Sequence, residues 1–133
     1  MKNIFKNAVK NYIDSIEGKL SDCKVNPHTG FVAKIEISGD ENHNIFIVVP
    51  KFKLDYIAEL WFGDKNDYDI DDLTKEIANL IVGNAKIIAE KQNVRFDIST
   101  PQFLGEYEKI KYDDILKFKF EHRCFYVLFK EKN

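Results

Sequence analysis

The stretch DDLTKEIANLIVGNAKIIAE, residues 71–90, predicts the longest helix of the chain, and the rest of the sequence is interpreted around it. At about 100° of turn per residue, one face of this helix carries most of its large apolar side chains. These are Leu73, Ile77, Leu80, Ile81 and Ile88, with the polar Asn84 among them. A separate stripe, about a quarter-turn away, holds Asp72, Glu76, Asn79 and Gly83. Because Gly costs roughly 1 kcal/mol relative to Ala in a helix interior, Gly83 indicates close approach by another backbone or by a partner.

Apolar patterns predict further elements on both sides of this helix. The segments before it are a helix over 3–20, strands at 31–38 and 45–49 joined as an antiparallel hairpin, and a helix over 51–62 closed by Gly63. Those after it are strands at 94–98, 117–121 and 124–129, with Pro101 and Gly105 breaking the chain between the first two. This order predicts one domain over residues 1–133, an α/β sandwich in which long helices pack on a mainly antiparallel sheet.

Composition excludes several classes of function. The 20 Lys and Arg against 22 Asp and Glu give a net charge of −2 with the signs interspersed, which argues against nucleic acid as a partner. No apolar run approaches the roughly 20 residues that span a bilayer, so no membrane association is expected, and the N-terminus lacks the pattern of a secretory signal. We therefore expect a cytoplasmic protein, in which Cys23 and Cys124 remain packed thiols.

The acidic run before the long helix superficially resembles a calcium loop. Asp67, Asp69 and Asp71 alternate, but counting from Asp67 the sixth position is Asp72 instead of Gly and the twelfth is Ala78 instead of Glu. Asp71 and Asp72 are more simply explained as capping and charging the start of the helix. The sequence therefore predicts no metal site.

A family resemblance gives the polar stripe a function. The segment from Asp72 to Asn79 resembles the signature of the CheX/CheC/FliY chemotaxis phosphatases, which is Asp or Ser, three residues, Glu, two residues, Asn. The continuation GNAK at residues 83–86 and the downstream STP that ends at Pro101 are also similar to family members. The strong match covers about a quarter of the chain. It implies a CheC-like fold and a phosphatase that acts on phosphorylated CheY-type response regulators.

The resemblance also implies roles for individual residues. Asn79 would orient the attacking water, and Glu76 would pair with the active-site lysine of the receiver. Asp72, Gly83 and Pro101 are candidate partner-binding residues, although Asp72 is explained equally well by helix capping. No cofactor is expected in this chain, since the Mg²⁺ that neutralises the phosphoryl oxygens would belong to the receiver. The first helix lacks a second motif, because Glu17 is followed at the third position by Leu20, which predicts a single active site as in CheX.

Two other interpretations remain open, and an oligomeric state is expected. The chain could be a non-catalytic, CheC-like adaptor that binds a receiver or a flagellar switch protein, or an unrelated globular protein with a chance match, which a buried Asn79 would support. CheX-like proteins are dimers, and the aromatic strand 124–129 would be an aggregation hazard as an open edge. We therefore predict a homodimer.

Overall fold

Three helices and seven strands make up the fold in the computed structural model, which describes residues 1–15, 20–120 and 123–132. In chain order the elements are α1 (Lys2–Ser15), β1 (Leu20–Asp22), β2 (Phe31–Gly39), β3 (His43–Val49), α2 (Lys51–Phe62), α3 (Ile70–Lys91), β4 (Phe96–Ile98), β5 (Gln102–Glu106), β6 (Asp114–Phe120) and β7 (Arg123–Glu131).

The strands form one sheet in which every pairing is antiparallel, with the order β1-β6-β7-β3-β2-β4 and with β5 also paired to β2. The predicted hairpin is confirmed, since β2 and β3 pair along their length from Phe31 opposite Val49 to Ile37 opposite His43. Alternation places Ile35 and Ile37 in the main core and Val32 on the other face.

All three helices pack on one face of the sheet and share one large apolar core with it. The opposite face carries a smaller cluster, which includes Val48, Tyr126 and Leu128 and is partly covered by side chains of the segment before β6. The predicted sandwich of helices on an antiparallel sheet is therefore confirmed. None of the helices in the described ranges combines the length and apolar character needed to cross a membrane.

The predicted bounds of α2 and α3 agree closely with the structure. The α2 helix ends at Gly63, whose φ of 73° lies in the left-handed region and whose N–H donates to the Glu59 carbonyl. The α3 helix begins after Asp69 rather than at Asp71 or Asp72, because the Asp69 carboxylate accepts a 3.0 Å hydrogen bond from the Asp72 backbone N–H. Asp71 and Asp72 lie in the first turn, where negative charge is favourable.

The predicted buried face of α3 is wrong by part of a turn. Large side chains at Leu73, Ile77 and Ile81 are buried, but so are small ones on the side away from Leu80, namely Ala78, Val82, Ala85 and Ala89. Leu80 and Ile88 lie at the margin and are only half-buried. Alanine adds little to an apolar pattern. The predicted buried face therefore did not extend to the side of α3 on which these small residues allow close packing with α1.

Both edges of the sheet differ from the predictions. The first helix is described over Lys2–Ser15, and its predicted continuation over residues 16–19, including Glu17, lies outside the described ranges. Leu20, predicted as the end of this helix, belongs instead to β1. The chain is not broken between Pro101 and Gly105 but forms β5. This strand continues through Gly105, whose φ of 84° accompanies a bulge opposite Val32 and Ala33.

The cysteines and the last strand also depart from the expectations. Cys23 and Cys124 form a disulfide with a Cα–Cα distance of 5.8 Å, so the prediction of two separate thiols is wrong. They are 101 residues apart, and only the packing of β1 and β7 on either side of β6 brings them together. β7 is an interior strand between β6 and β3, not the open edge on which the dimer argument relied.

Candidate functional site

The polar stripe of α3 lies on the exposed side of the helix. Asp72, Glu76 and Asn79 are all exposed, and Gly83 continues the stripe as a half-exposed position. At about 100° per residue, Glu76 and Asn79 point almost opposite to the centre of all the buried side chains of α3 taken together, rather than a quarter-turn away from the apolar side. An exposed Asn79 argues against the chance match, which a buried amide would have supported.

The side chains of Glu76 and Asn79 are available to a partner. Among the described residues, neither makes a hydrogen bond or an ion pair. A carboxamide can accept a hydrogen bond with its oxygen and donate with its nitrogen, whereas a carboxylate only accepts and carries charge. The exposed turn of α3 therefore presents a group that can orient water next to a group that can bind a cation.

A capping hydrogen bond and ion pairs stabilise the first turn of α3. Lys75 Nζ lies 2.6 Å from Asp71 Oδ1 and 3.9 Å from Asp72 Oδ1, and the hydrogen bond to Asp71 raises the pKa of Lys75. The carboxylates of Asp69, Asp71 and Asp72 lie within 4.8 Å of one another. Since Asp69 caps the helix and Asp71 binds Lys75, helix capping and ion pairing explain this cluster.

Glu76 lies above the α1–α3 contact. Tyr12 of α1 is buried, with only 5% of its surface exposed, and its hydroxyl has no hydrogen-bond partner among the described residues. Burial, together with the negative charge of Glu76, raises the pKa of Tyr12. The phenol therefore remains protonated at neutral pH and adds no charge beneath Glu76.

Gly83 has no structural explanation in the described parts of the chain. Apart from its own stretch of helix, no described atom lies within 4 Å of where its Cβ would be, which leaves only the second of the two alternatives, approach by a partner, for this residue.

Pro101 belongs to a different element from the other four candidates, although the strands on either side of it, β4 and β5, both contact α3. It lies in the connection between β4 and β5, on the sheet rather than on α3. The preceding Ser99 ties this connection to β2, because its N–H donates to the Glu36 carbonyl at 2.9 Å and its Oγ accepts from the Glu36 N–H at 2.8 Å. Pro101 therefore directs the chain from one edge strand into the next.

An adjoining cleft was not found from the sequence. It has a volume of about 580 Å³ and is lined by Trp61, Phe62, Asp67, Tyr68, Asp69, Asp72, Leu73 and Glu76. Trp61 fits the helical spacing of apolar residues over 51–62 and Phe62 lies outside it, so periodicity alone gave no reason to single out the pair. The signal that could have found them is their apolar character immediately before the acidic run 64–72.

Comparisons with known proteins agree on the family and the fold. The family model for the chemotaxis phosphatase CheX matches residues 31–117, which contain the whole α3 stripe and Pro101. No curated protein sequence matches the chain significantly.

Several solved structures share the fold along almost the whole chain. A CheC-like superfamily protein from Shewanella sp. PV-4 has a TM-score of 0.76 at 20% identity, covering 98% of this chain and 96% of its own. A chemotaxis protein CheX from Desulfovibrio desulfuricans has a TM-score of 0.72 at 22% identity, covering 98% and 97%. A CheX–CheY–BeF₃–Mg²⁺ complex from Borrelia burgdorferi matches with a TM-score of 0.66 at 17% identity, covering 97% of both chains. At these identities the likeness establishes the fold, and it confirms the CheC-like architecture.

Proposed function

Because this chain belongs to the CheX family of chemotaxis phosphatases, we propose that it dephosphorylates a phosphorylated CheY-type response regulator. The observation that supports this most is the exposed stripe of α3, on which Glu76 and Asn79 lie one helical turn apart without partners in the described parts of the chain. A helix face of this kind can lie against the active site of a receiver domain without rearrangement of the core.

Asn79 acts on the attacking water. Its carboxamide oxygen accepts a hydrogen bond from the water, and its nitrogen donates to an oxygen at the phosphoryl site. The water attacks phosphorus in line, the bond between phosphorus and the aspartyl oxygen breaks, and the products are inorganic phosphate and a free carboxylate. Catalysis of this type is positioning rather than base catalysis, since an amide does not take up the proton.

Glu76 fixes the register of the complex. As the resemblance implies, its carboxylate pairs with the active-site lysine of the receiver, and the pair places Asn79 over the phosphoryl group. The charge-neutralising Mg²⁺ is expected in the receiver; CheY, BeF₃ and Mg²⁺ occur together in the Borrelia complex. This division of roles assigns positioning and water orientation to this chain.

The alternative is a CheC-like adaptor that binds a receiver or a flagellar switch protein without catalysis. Phosphate release separates the two functions. A CheY-type receiver of the same organism is phosphorylated, and this chain is added at one tenth of its concentration. The phosphatase proposal predicts many equivalents of phosphate released per chain, faster than the receiver's own decay. Binding to the phosphorylated receiver with unchanged decay would instead establish the adaptor.

A further inference from the structure

The cleft beside the stripe combines exposed aromatic surface with negative charge. Trp61 is 37% exposed and Phe62 is 61% exposed at the end of α2, and their rings meet edge to face at 6.3 Å. Four carboxylates line the same cleft, those of Asp67, Asp69, Asp72 and Glu76, and the described residues that line it include no Lys or Arg. Large aromatic side chains left in solvent next to a polar site are typical of protein contact surfaces.

The cleft is held in shape by contacts between α2 and the segment before α3. Tyr68, which lines the cleft, donates a 2.6 Å hydrogen bond from its hydroxyl to Asp55 Oδ1 of α2. Gly63 ends α2 in the left-handed conformation, so the chain turns toward α3 immediately after Phe62. The Tyr68–Asp55 hydrogen bond therefore joins α2, which carries the aromatic side of the cleft, to the segment that carries its acidic side.

The cleft and the α3 stripe form one continuous surface, because Asp72 and Glu76 belong to both. A receiver that pairs with Glu76 while its active site covers Asn79 therefore also contacts one wall of the cleft. An acidic, aromatic cleft fits a Lys or Arg side chain, whose methylene stem packs on the rings while its charged end reaches the carboxylates.

We infer that the cleft is a second docking subsite for the receiver, which takes a Lys or Arg side chain from the receiver surface beside the phosphorylated aspartate. This inference rests on the proposed function and deepens it. Glu76 and Asn79 set the register and the chemistry, whereas Trp61, Phe62 and Asp67 contribute affinity and select receivers that carry a basic side chain at this place.

A fluorine label tests the contact directly, because Trp61 is the only tryptophan of the chain. The full chain is prepared with 5-fluorotryptophan and titrated with a CheY-type receiver of the same organism that carries Mg²⁺ and beryllofluoride, a mimic of the phosphoryl group. The subsite predicts that the single fluorine resonance shifts on saturation. An unmoved resonance in a complex that Glu76→Gln weakens would overturn the subsite and leave the proposed function intact.

Variants then measure what the cleft contributes. Phe62→Ala is expected to raise the Kd for this receiver and the KM for phosphate release roughly tenfold, with kcat within about twofold. Asp67→Asn removes one exposed charge without touching the helix cap and should reduce the salt dependence of association. Leu104→Ala is the matched control, an exposed apolar residue on β5, a different element from the cleft.

Three other outcomes would each contradict the subsite. If Phe62→Ala and Asp67→Asn bind like Leu104→Ala, the cleft is not a receiver contact. If Phe62→Ala converts a dimer to a monomer and leaves receiver affinity unchanged, the cleft holds a second copy of the chain. If the unmodified chain neither binds the receiver nor accelerates its decay, the proposed function fails and the subsite fails with it.

Discussion

Gly83 is the residue of the stripe that the fold does not require. It has ordinary helical geometry, and apart from its own helix no described atom lies within 4 Å of where a Cβ would be placed. Neither the backbone conformation nor the packing of the described chain therefore requires glycine there. A partner backbone lying against this turn would explain it, because Gly on a solvated helix face only lowers stability.

Gly83→Ala separates these two effects. The free energy of unfolding, measured with urea, should rise by about 1 kcal/mol because Ala is the better helix former. Affinity for a receiver carrying beryllofluoride should fall several-fold, because the new methyl group occupies the contact surface. A more stable variant with unchanged affinity would show that no partner approaches Gly83.

At the scale of elements, the contact between α2 and the loop before α3 depends on pH. Burial raises the pKa of Asp55, but hydrogen bonds from Tyr68 and Lys51 lower it more, so the net shift is downward. A carboxyl whose pKa is lower in the folded state stabilises the fold above its unfolded pKa of about 3.9, and this contribution is lost as pH falls through the folded pKa.

Asp55→Asn should remove this pH-dependent component. The unmodified chain is expected to lose stability below about pH 4 by an amount that the variant does not lose. Urea unfolding of both proteins at several values between about pH 3 and pH 6 measures the difference. Parallel stability curves for the two proteins would mean that the Asp55 carboxylate does not stabilise the contact.

Elements with strong local patterns were predictable from the sequence, and those formed by distant pairing were not. The β2–β3 hairpin and the end of α2 at Gly63 depend on neighbouring residues, which the sequence displays. β5 forms only because it pairs with β2, with a bulge in the pairing. The Cys23–Cys124 disulfide joins segments 101 residues apart. In α3 the polar stripe was identified correctly, whereas the buried face was misplaced because alanines such as Ala78 and Ala85 contribute little to hydrophobic periodicity.

For the candidate site, the sequence indicated which residues share an exposed helix face but not what surrounds them. Glu76 and Asn79 were singled out through the resemblance to the CheX/CheC/FliY signature; the structure places both on the exposed side of α3, and their roles stay a prediction. The aromatic side of the cleft comes from α2, and only the packing of α2 against the loop at Tyr68 brings it beside Glu76. In a single sequence, the one local sign of this contact is the apolar pair Trp61 and Phe62 immediately before the acidic run 64–72.

At the scale of the whole molecule, the homodimer remains a prediction. The interior position of β7 removes the edge-strand argument, so the expectation now depends on the family resemblance alone. Light scattering at micromolar concentration should give twice the mass of the 15.6 kDa chain. A mass equal to one chain would reject the dimer without affecting the stripe on α3, which lies within a single chain.

The central claim is that Asn79 accelerates hydrolysis within the receiver complex. The decay of a phosphorylated CheY-type receiver is followed at saturating concentrations of the unmodified chain and of Asn79→Ala, so that differences in affinity do not contribute. The unmodified chain should shorten the half-life of the phosphoryl group, and Asn79→Ala should bind yet lose this acceleration by roughly a hundredfold. Equal acceleration by both proteins, or none by the unmodified chain, would contradict the account.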